Sequence, residues 1–167
     1  MPEYFPSWRD VVLPKDADFV RRLCRAAGNF TPAEEEVAVE LVTERLAKGL
    51  ASGYHFLFAE KDDALQGYAC FGPIACTLHS WDLYWIVVDK ALQGRGLGRL
   101  ILAEAERRVA AAGGERLYVE TSAKDQYEPT RRFYERCGYR KEAELPHFYA
   151  PNDAKIIYLK ILARPAA

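Results

Sequence analysis

The sequence predicts an α/β protein of the α+β kind, with a mixed, mostly antiparallel central sheet of about six to seven strands and about four flanking helices. Half of the 167 residues are apolar and 28% are charged, as in a globular chain large enough to bury a core. Short apolar and aromatic runs alternate with segments whose apolar residues recur every three or four positions. One strand–helix–strand unit lies near the centre and predicts a right-handed crossover between parallel strands.

The first elements are predicted to be one strand and two helices. Residues 7–13 carry enough apolar side chains for an opening strand. A helix beginning near Asp16 has an apolar face and ends at Gly28. A second helix begins with the capping box at 31–34, which has proline at the first helical position, and ends near Gly49.

Three strands and a helix are predicted next. Residues 54–60 and 66–71 are rich in aromatic side chains and form a hairpin through the connection at 61–64. Residues 82–88 predict a buried strand. A helix then runs from about Leu97 to the glycine pair at 113–114.

The last predicted elements complete the sheet. They are a strand at 117–121, a helix at 129–137 that stops at Gly138, and a final strand at 155–162. The predicted order is β-α-α-β-β-β-α-β-α-β-β, in which the strand before the final one has no assigned bounds. At this length the expectation is a single domain over residues 1–167.

Composition argues against several classes of function. The net charge of −1 does not favour a nucleic-acid binder or a basic membrane anchor. There is no apolar run of the length that spans a membrane, and residues 1–5 do not resemble a signal peptide, so the cytoplasm is the expected location. The four cysteines are scattered without metal-ligand spacing, so we expect reduced thiols and no metal.

A glycine-rich turn is the most informative motif. Gly94, Gly96 and Gly98 stand at alternate positions between the strand at 82–88 and the next helix. Such a turn leaves backbone N–H groups without intrahelical partners at the positive end of the helix dipole, which suits a phosphate or pyrophosphate. The spacing differs from the dinucleotide fingerprint, and the Lys-Ser/Thr of a Walker loop is absent. An ordinary nucleotide-binding βαβ protein stays open as one alternative.

Two motifs carry a resemblance to a known family. Gln93-x-x-Gly96-x-Gly98 resembles the acyl-CoA-binding signature Q/R-x-x-G-x-G/A of the GNAT N-acetyltransferases. The segment at 130–139, Thr-Arg-Arg-Phe-Tyr-Glu-Arg-Cys-Gly-Tyr, resembles the late FYe-x-x-GF/Y helix end of that superfamily. The two motifs stand in the family's order with a strand between them. The resemblance implies the acyl-CoA N-acyltransferase (GNAT) fold, with acetyl-CoA as co-substrate and no metal.

The resemblance also implies which residues hold the cofactor. Backbone groups of the strand end would contact the pantetheine arm, with the Ile86 N–H facing the thioester carbonyl, and N–H groups from Gly94 to Arg99 would hold the pyrophosphate. Many relatives carry asparagine where this chain has Tyr127, and Thr130 is the substitute we consider near the cofactor arm. The implied cofactor-binding residues are Ile86, Val87, Val88, Gln93, Gly94, Arg95, Gly96, Leu97, Gly98, Arg99 and Thr130.

Three residues are candidates for catalysis. Tyr134 matches the tyrosine that protonates the coenzyme A thiolate in many family members, and a phenol does this only when held close to the sulfur. Asp82, eleven residues before Gln93, matches by spacing the acidic base of histone-type members. Glu120 lies mid-strand, and as an expected buried carboxylate it is the other candidate base. His79 and a water chain are further alternatives for the base.

The resulting prediction is an N-acetyltransferase that transfers acetyl from acetyl-CoA to a primary amine of a small molecule or peptide by direct attack in a ternary complex. We expect aromatic residues around Phe30, 79–85, Tyr118 and 146–149 to form the acceptor pocket. A covalent route through Cys70 or Cys76 lacks an obvious histidine partner. A non-catalytic acyl-CoA-binding or sensor module on the same fold is the alternative from another class, and a homodimer stays open.

Overall fold

The computed structural model describes residues 6–162, which contain seven strands and four helices in the predicted order. Their bounds are β1 Ser7–Arg9, α1 Asp16–Ala27, α2 Pro32–Lys48, β2 His55–Lys61, β3 Ala64–Pro73, β4 Ser80–Val88, α3 Leu97–Ala111, β5 Arg116–Ser122, α4 Glu128–Arg136, β6 Arg140–Ala150 and β7 Asp153–Ile161. The expectation about a signal peptide falls on residues 1–5, outside the described part.

The strands form one sheet in the order β1-β2-β3-β4-β5-β7-β6. Strand β4 pairs with β5 in parallel, whereas β1–β2, β2–β3, β5–β7 and β6–β7 are antiparallel. The parallel pair requires a crossover connection, and α3 provides it. The predicted mixed, mostly antiparallel sheet with helices is therefore confirmed.

The chain groups into two compact units. The first runs through Gly72 and also contains Trp85–Ala105, and the second contains Pro73–Tyr84 and the chain from Glu106 onward. Strand β4 and helix α3 each contribute residues to both units. The single domain over residues 1–167 stays a prediction.

The first unit has a core between its two opening helices and its strands. The capping box of α2 is present as predicted, because the Glu34 N–H donates to Thr31 Oγ1 and the Thr31 N–H donates to the Glu34 carboxylate. Apolar residues that recur three or four apart on α1 and α2 meet the aromatic side chains of β2 and β3. Buried members of this core are Val20, Cys24, Val39, Val42, Phe56, Phe58, Tyr68, Cys70 and Val87.

The opening strand is shorter than the predicted 7–13, because a buried carboxylate diverts the chain. Asp16 is fully buried at the start of α1 and accepts two hydrogen bonds from the Arg9 guanidinium, at 2.8 and 3.0 Å. It also accepts the Leu13 N–H at 2.8 Å. A buried carboxylate requires such partners, so residues 11–13 turn toward Asp16 instead of extending β1.

The second unit is built on β5 and β7, whose alternate residues point to opposite faces. The register pairs Tyr118 with Leu159, Glu120 with Ile157 and Ser122 with Lys155. Strand β6, which had no predicted bounds, pairs with β7 along the edge of the sheet. Its register passes from Leu145↔Lys155 to Ala150↔Asp153, so residues 146–149 bulge out of the ladder.

A close backbone approach in the first unit predicts a stability effect. A Cβ added at Gly67 would lie 2.9 Å from the Val87 carbonyl oxygen and 2.8 Å from Ile101 Cδ1. We expect Gly67→Ala to lower the free energy of unfolding by about 2 kcal/mol, because a backbone oxygen cannot yield as a flexible side chain does. Urea denaturation of the full chain measures this change.

Gly28→Ala is the matched control for that substitution. Gly28 has φ +77°, and within the described residues no heavy atom lies within 4 Å of an added Cβ, so only the left-handed conformation is penalised. Its expected cost is about 1 kcal/mol. Equal losses in the two variants would contradict the assignment of a steric conflict to Gly67.

Candidate active site

The end of β4 is tied to its neighbour before the chain turns toward α3. The Asp89 N–H donates to the Gln66 carbonyl at 2.9 Å, directly after the last residue of β4. The Asp89 carboxylate then accepts the Ala91 N–H at 2.8 Å and caps a short 3₁₀ turn at 90–92. This fixed turn delivers Gln93 to the start of the glycine motif.

Two of the three glycines are required by the backbone conformation. Gly94 and Gly96 have φ values of +75° and +86°, in the left-handed region that side-chain-bearing residues rarely adopt. Gly98 lies within the first turn of α3. The Leu100 N–H donates to the Gly96 carbonyl at 3.2 Å. The N–H groups before it, from Leu97 to Arg99, therefore have no intrahelical acceptor.

This turn has one buried side chain, which anchors it, and two arginines that are exposed to solvent. Leu97 is 2% exposed and holds the helix start in the core, while Arg95 and Arg99 are exposed. Gln93 donates from its amide nitrogen to the Val88 carbonyl at 3.3 Å, which links the motif to the strand end. The arrangement presents backbone donors, the positive end of the α3 dipole and two arginines from one segment.

The predicted pantetheine-binding residues lie in the second half of β4. The pairing of β4 with β5 runs from Ser80↔Arg116 to Leu83↔Val119. Ile86, Val87 and Val88 lie beyond that register, in the part of β4 that belongs to the first unit. Val87 is buried in the core of that unit, and Ile86 and Val88 are half-buried.

The two candidate bases lie on one face of the sheet in the second unit. Asp82 is paired with Tyr118 in the register of β4 and β5, and Glu120 follows Tyr118 by two residues on the same face. Burial, followed by the negative charge of Glu120, raises the pKa of Asp82 to about 6, although the positive charge of Lys155 opposes this rise. The structure thus brings together two carboxylates that are distant in sequence.

Glu120 is not the buried carboxylate that was expected. Its side chain is 47% exposed, and its Oε2 lies 2.6 Å from the Nζ of Lys155. Lys155 itself is only 12% exposed, and its Nζ lies 3.7 Å from the centroid of the Phe148 ring. Sequence reasoning assigned no role to Lys155. The feature that could have identified it is a lysine within the segment 153–161, where most neighbouring residues are apolar.

Tyr134 lies on the opposite face of that unit. Its ring packs against Tyr139 and Tyr158, with centroids 5.6 and 6.2 Å apart. Tyr158 alternates with Ile157 along β7, so it faces away from Lys155 and the two carboxylates. Burial raises the pKa of Tyr134 above its ordinary value, so the hydroxyl keeps its proton at neutral pH.

A hydrogen-bond network holds the start of α4, where Thr130 lies half-buried in the first turn. Arg131 donates from Nη1 to the carbonyls of Ser122 and Lys124 at 2.8 and 2.9 Å. The Ser122 hydroxyl donates to Asp153 Oδ1 at 2.5 Å. These bonds connect α4 to the ends of β5 and β7 and so fix the helix that carries Tyr134.

The remaining sequence candidates have local structural contacts. His79 Nδ1 lies 3.1 Å from the Gly113 carbonyl oxygen in an exposed loop. Burial raises the pKa of Cys70 well above its ordinary value, which disfavours the thiolate that a covalent route requires. Cys76 is exposed in a turn with φ +63°. Phe30 and Trp85, both expected near the acceptor, are in ring contact at 5.0 Å within the first unit.

Two searches of residues 6–162 were negative. In that part of the chain no three side chains of His, Cys, Asp or Glu are grouped as a metal site requires. Within the same residues no helix combines the length and the apolar character needed to cross a bilayer.

The sheet order and the glycine turn before α3 define an acyltransferase-type α/β fold. The chain belongs to the acetyltransferase (GNAT) family, whose model matches residues 21–139. The crystal structure of a GNAT-family protein from Desulfovibrio desulfuricans is 51% identical, with a TM-score of 0.92, and the match covers 94% of this chain and 99% of that one. Comparison with curated proteins found no match. The family resemblance is confirmed.

More distant structures share the fold. An aminoglycoside 6′-N-acetyltransferase complexed with coenzyme A is 21% identical, with a TM-score of 0.75, and the match covers 96% of this chain and 99% of that one. The ribosomal-protein-S18-alanine N-acetyltransferase from Escherichia coli is 17% identical, with a TM-score of 0.75 and 97% of both chains covered. At these identities the likeness establishes the fold alone, and it confirms the predicted fold class.

The raised pKa of Asp82 predicts a pH-dependent effect on stability. Because the pKa in the folded protein is about 6 against an ordinary value of 3.8, the folded state binds this proton more tightly than the unfolded state. Ionising Asp82 therefore costs stability as the pH rises through this window. We expect Asp82→Asn to be more stabilising at about pH 7.5 than at about pH 5, by about 1 kcal/mol after allowing for partial exposure.

Urea denaturation at the two pH values measures this difference. Asp63→Asn, at an exposed position of the hairpin turn, is the control and should change the free energy of unfolding by less than about 0.5 kcal/mol. A destabilisation by Asp82→Asn that is the same at both pH values would contradict the prediction.

Proposed function

We propose that this protein is an N-acetyltransferase that transfers an acetyl group from acetyl-CoA to a primary amine of a small molecule or peptide, by direct attack in a ternary complex. The observation that carries the proposal is the start of α3, where left-handed Gly94 and Gly96 precede N–H groups without intrahelical acceptors. Membership of the acetyltransferase (GNAT) family supports the same reaction.

The residues of the first unit suit the donor. The N–H groups of Leu97, Gly98 and Arg99 carry the positive end of the helix dipole and match a pyrophosphate. Arg95 and Arg99 add exposed positive charge next to them. We assign the backbone of Ile86, Val87 and Val88 to the pantetheine arm, with the Ile86 N–H donating to the thioester carbonyl. Acetyl-CoA would supply the thioester, whose carbonyl carbon is attacked and whose sulfur leaves.

We assign the base to Asp82. An acceptor amine is an ammonium ion at neutral pH and must lose a proton before its nitrogen can attack. A carboxylate with a pKa of about 6 is mostly ionised at that pH and is a stronger base than an ordinary aspartate. Asp82 takes this proton, directly or through a water, while Glu120 on the same face is paired with Lys155.

Tyr134 is assigned to the leaving group, and Thr130 to the cofactor arm. As the carbon–sulfur bond breaks, the phenol donates its proton to the sulfur. Tyr134 and the two carboxylates act on different atoms, the sulfur and the amine nitrogen. Both atoms are bonded to the same carbon in the tetrahedral intermediate, so the proposal requires that the thioester be reached from both faces of the sheet. Burial keeps the Tyr134 hydroxyl protonated at neutral pH but also makes it a weaker acid, so donation requires the hydroxyl to be held close to the sulfur.

A direct assay tests the proposal. The purified full chain is mixed with acetyl-CoA and a panel of amines that includes amino acids, polyamines, an aminoglycoside and peptides with free N-termini. Release of free thiol that depends on one class of amine supports an acetyltransferase. Tight binding of acetyl-CoA in calorimetry without amine-dependent thiol release would instead support the sensor alternative. The single domain, the cytoplasmic location and the homodimer remain predictions.

Tyr134→Phe is expected to lower the rate at saturating acetyl-CoA by about 100-fold, because the ring contacts are kept while the proton donor is lost. Thiol release across the pH range measures the effect. Tyr139→Phe is the matched control, since this ring contacts Tyr134 and its hydroxyl donates to Glu106 at 3.0 Å. An unchanged rate in Tyr134→Phe at every pH would exclude the acid role.

A further inference from the structure

We propose that Lys155 is a positioning residue that holds Glu120 in an ion pair and leaves Asp82 as the carboxylate that exchanges a proton with the amine. The inference rests on the proposed acetyltransferase function for its catalytic meaning. Its structural basis is a cluster of Asp82, Glu120 and Lys155 on one face of the sheet, contributed by β4, β5 and β7.

The position of the Lys155 ammonium is fixed from two sides. Its Nζ makes a 2.6 Å ion pair with Glu120 Oε2 and lies 3.7 Å from the Phe148 centroid and 5.8 Å from the Tyr149 centroid. An ammonium ion over an aromatic face is attracted by the electron density of the ring. The bulge at 146–149 brings both rings to this position, and with 12% exposure Lys155 has little freedom to move into solvent.

The two carboxylates, Glu120 and Asp82, have different electrostatic surroundings. Glu120 has a direct cationic partner and is 47% exposed, so both the ion pair and the solvent stabilise its charge. Asp82 is more buried than Glu120. The negative charge of Glu120 raises the pKa of Asp82, and the positive charge of Lys155 lowers it. Two neighbouring carboxylates hold their protons unequally when only one of them has a cationic partner.

The other titratable and charged groups near Asp82 within the second unit are few. On the same face are Tyr84 in β4, next to Asp82 along the strand, and two residues of β5: Tyr118, which pairs with Asp82, and Arg116, which pairs with Ser80. The row continues through Leu159 of β7 to Arg140 of β6, whose guanidinium is 3.3 Å from Glu142. Of these cations Lys155 is the one whose charge lowers the pKa of Asp82, so its removal should change the protonation of Asp82 most.

Carboxyl ¹³C NMR of the full chain without ligand tests the proposal directly. In the unchanged protein the Asp82 carboxyl carbon should titrate near pH 6. An Asp82 carboxyl carbon that is already ionised throughout that range would overturn the assignment. This measurement needs no variant and no activity.

Lys155→Met should raise the pKa of Asp82 by about one unit, because the lowering charge is lost and Glu120 becomes an unpaired like charge. At pH 6 the ionised fraction of Asp82, and with it kcat/KM for the amine, should fall about fivefold and recover above about pH 8. Lys155→Arg keeps the charge and should therefore shift the pKa of Asp82 less than Lys155→Met does.

Lys160→Met is the matched control. Lys160 lies on the same strand, makes a 2.7 Å ion pair with Glu106 and stands 5.5 Å from the Tyr139 centroid, but points to the opposite face. It should not move the pKa of Asp82. An unmoved pKa in Lys155→Met, or an equal shift in Lys160→Met, overturns the proposal. A shifted pKa in a protein that releases no thiol with any amine would instead refute the acetyltransferase function and leave the cluster assignment standing.

Discussion

The parallel pairing of β4 with β5 is the constraint on which most of the candidate site depends. Parallel neighbours require a crossover, so the chain must leave the end of β4, turn and return as α3. The left-handed residues Gly94 and Gly96 make that turn tight enough to present the first amide groups of the helix. The same register pairs Asp82 with Tyr118 and so brings Asp82 and Glu120 to one face.

The carboxylates of this protein differ in how well nearby hydrogen-bond donors and cations stabilise their negative charge. Arg9 and Leu13 fully satisfy the buried Asp16 in the first unit, which makes that carboxylate a structural anchor. The causes of the raised pKa of Asp82 include no hydrogen-bond donor, and burial is the largest of them. A protein tolerates such a cost where a group must exchange a proton, and this contrast distinguishes the proposed base from a structural acid.

Sequence reasoning succeeded where the signal was local. The capping box of α2 and the glycine turn each depend on residues within a few positions, and the structure contains both. It failed where contacts join distant segments. The short β1 depends on Asp16, and the exposure of Glu120 and its pairing with Lys155 depend on a register between β5 and β7. No local pattern encodes that register, so a lysine near the start of a strand carried no visible role.

The opposite faces occupied by Tyr134 and Asp82 separate the two proton transfers of the proposed reaction. Burial keeps the Tyr134 hydroxyl protonated far above neutral pH, so it does not change charge where most assays are made. Asp82 changes charge near pH 6. The fall in rate at acidic pH should therefore follow the protonation of Asp82, whose pKa depends on Lys155. It should not depend on the tyrosines packed around Tyr134. The proposed mechanism thus assigns proton removal from the amine and proton donation to the sulfur to two residues that can be substituted one at a time.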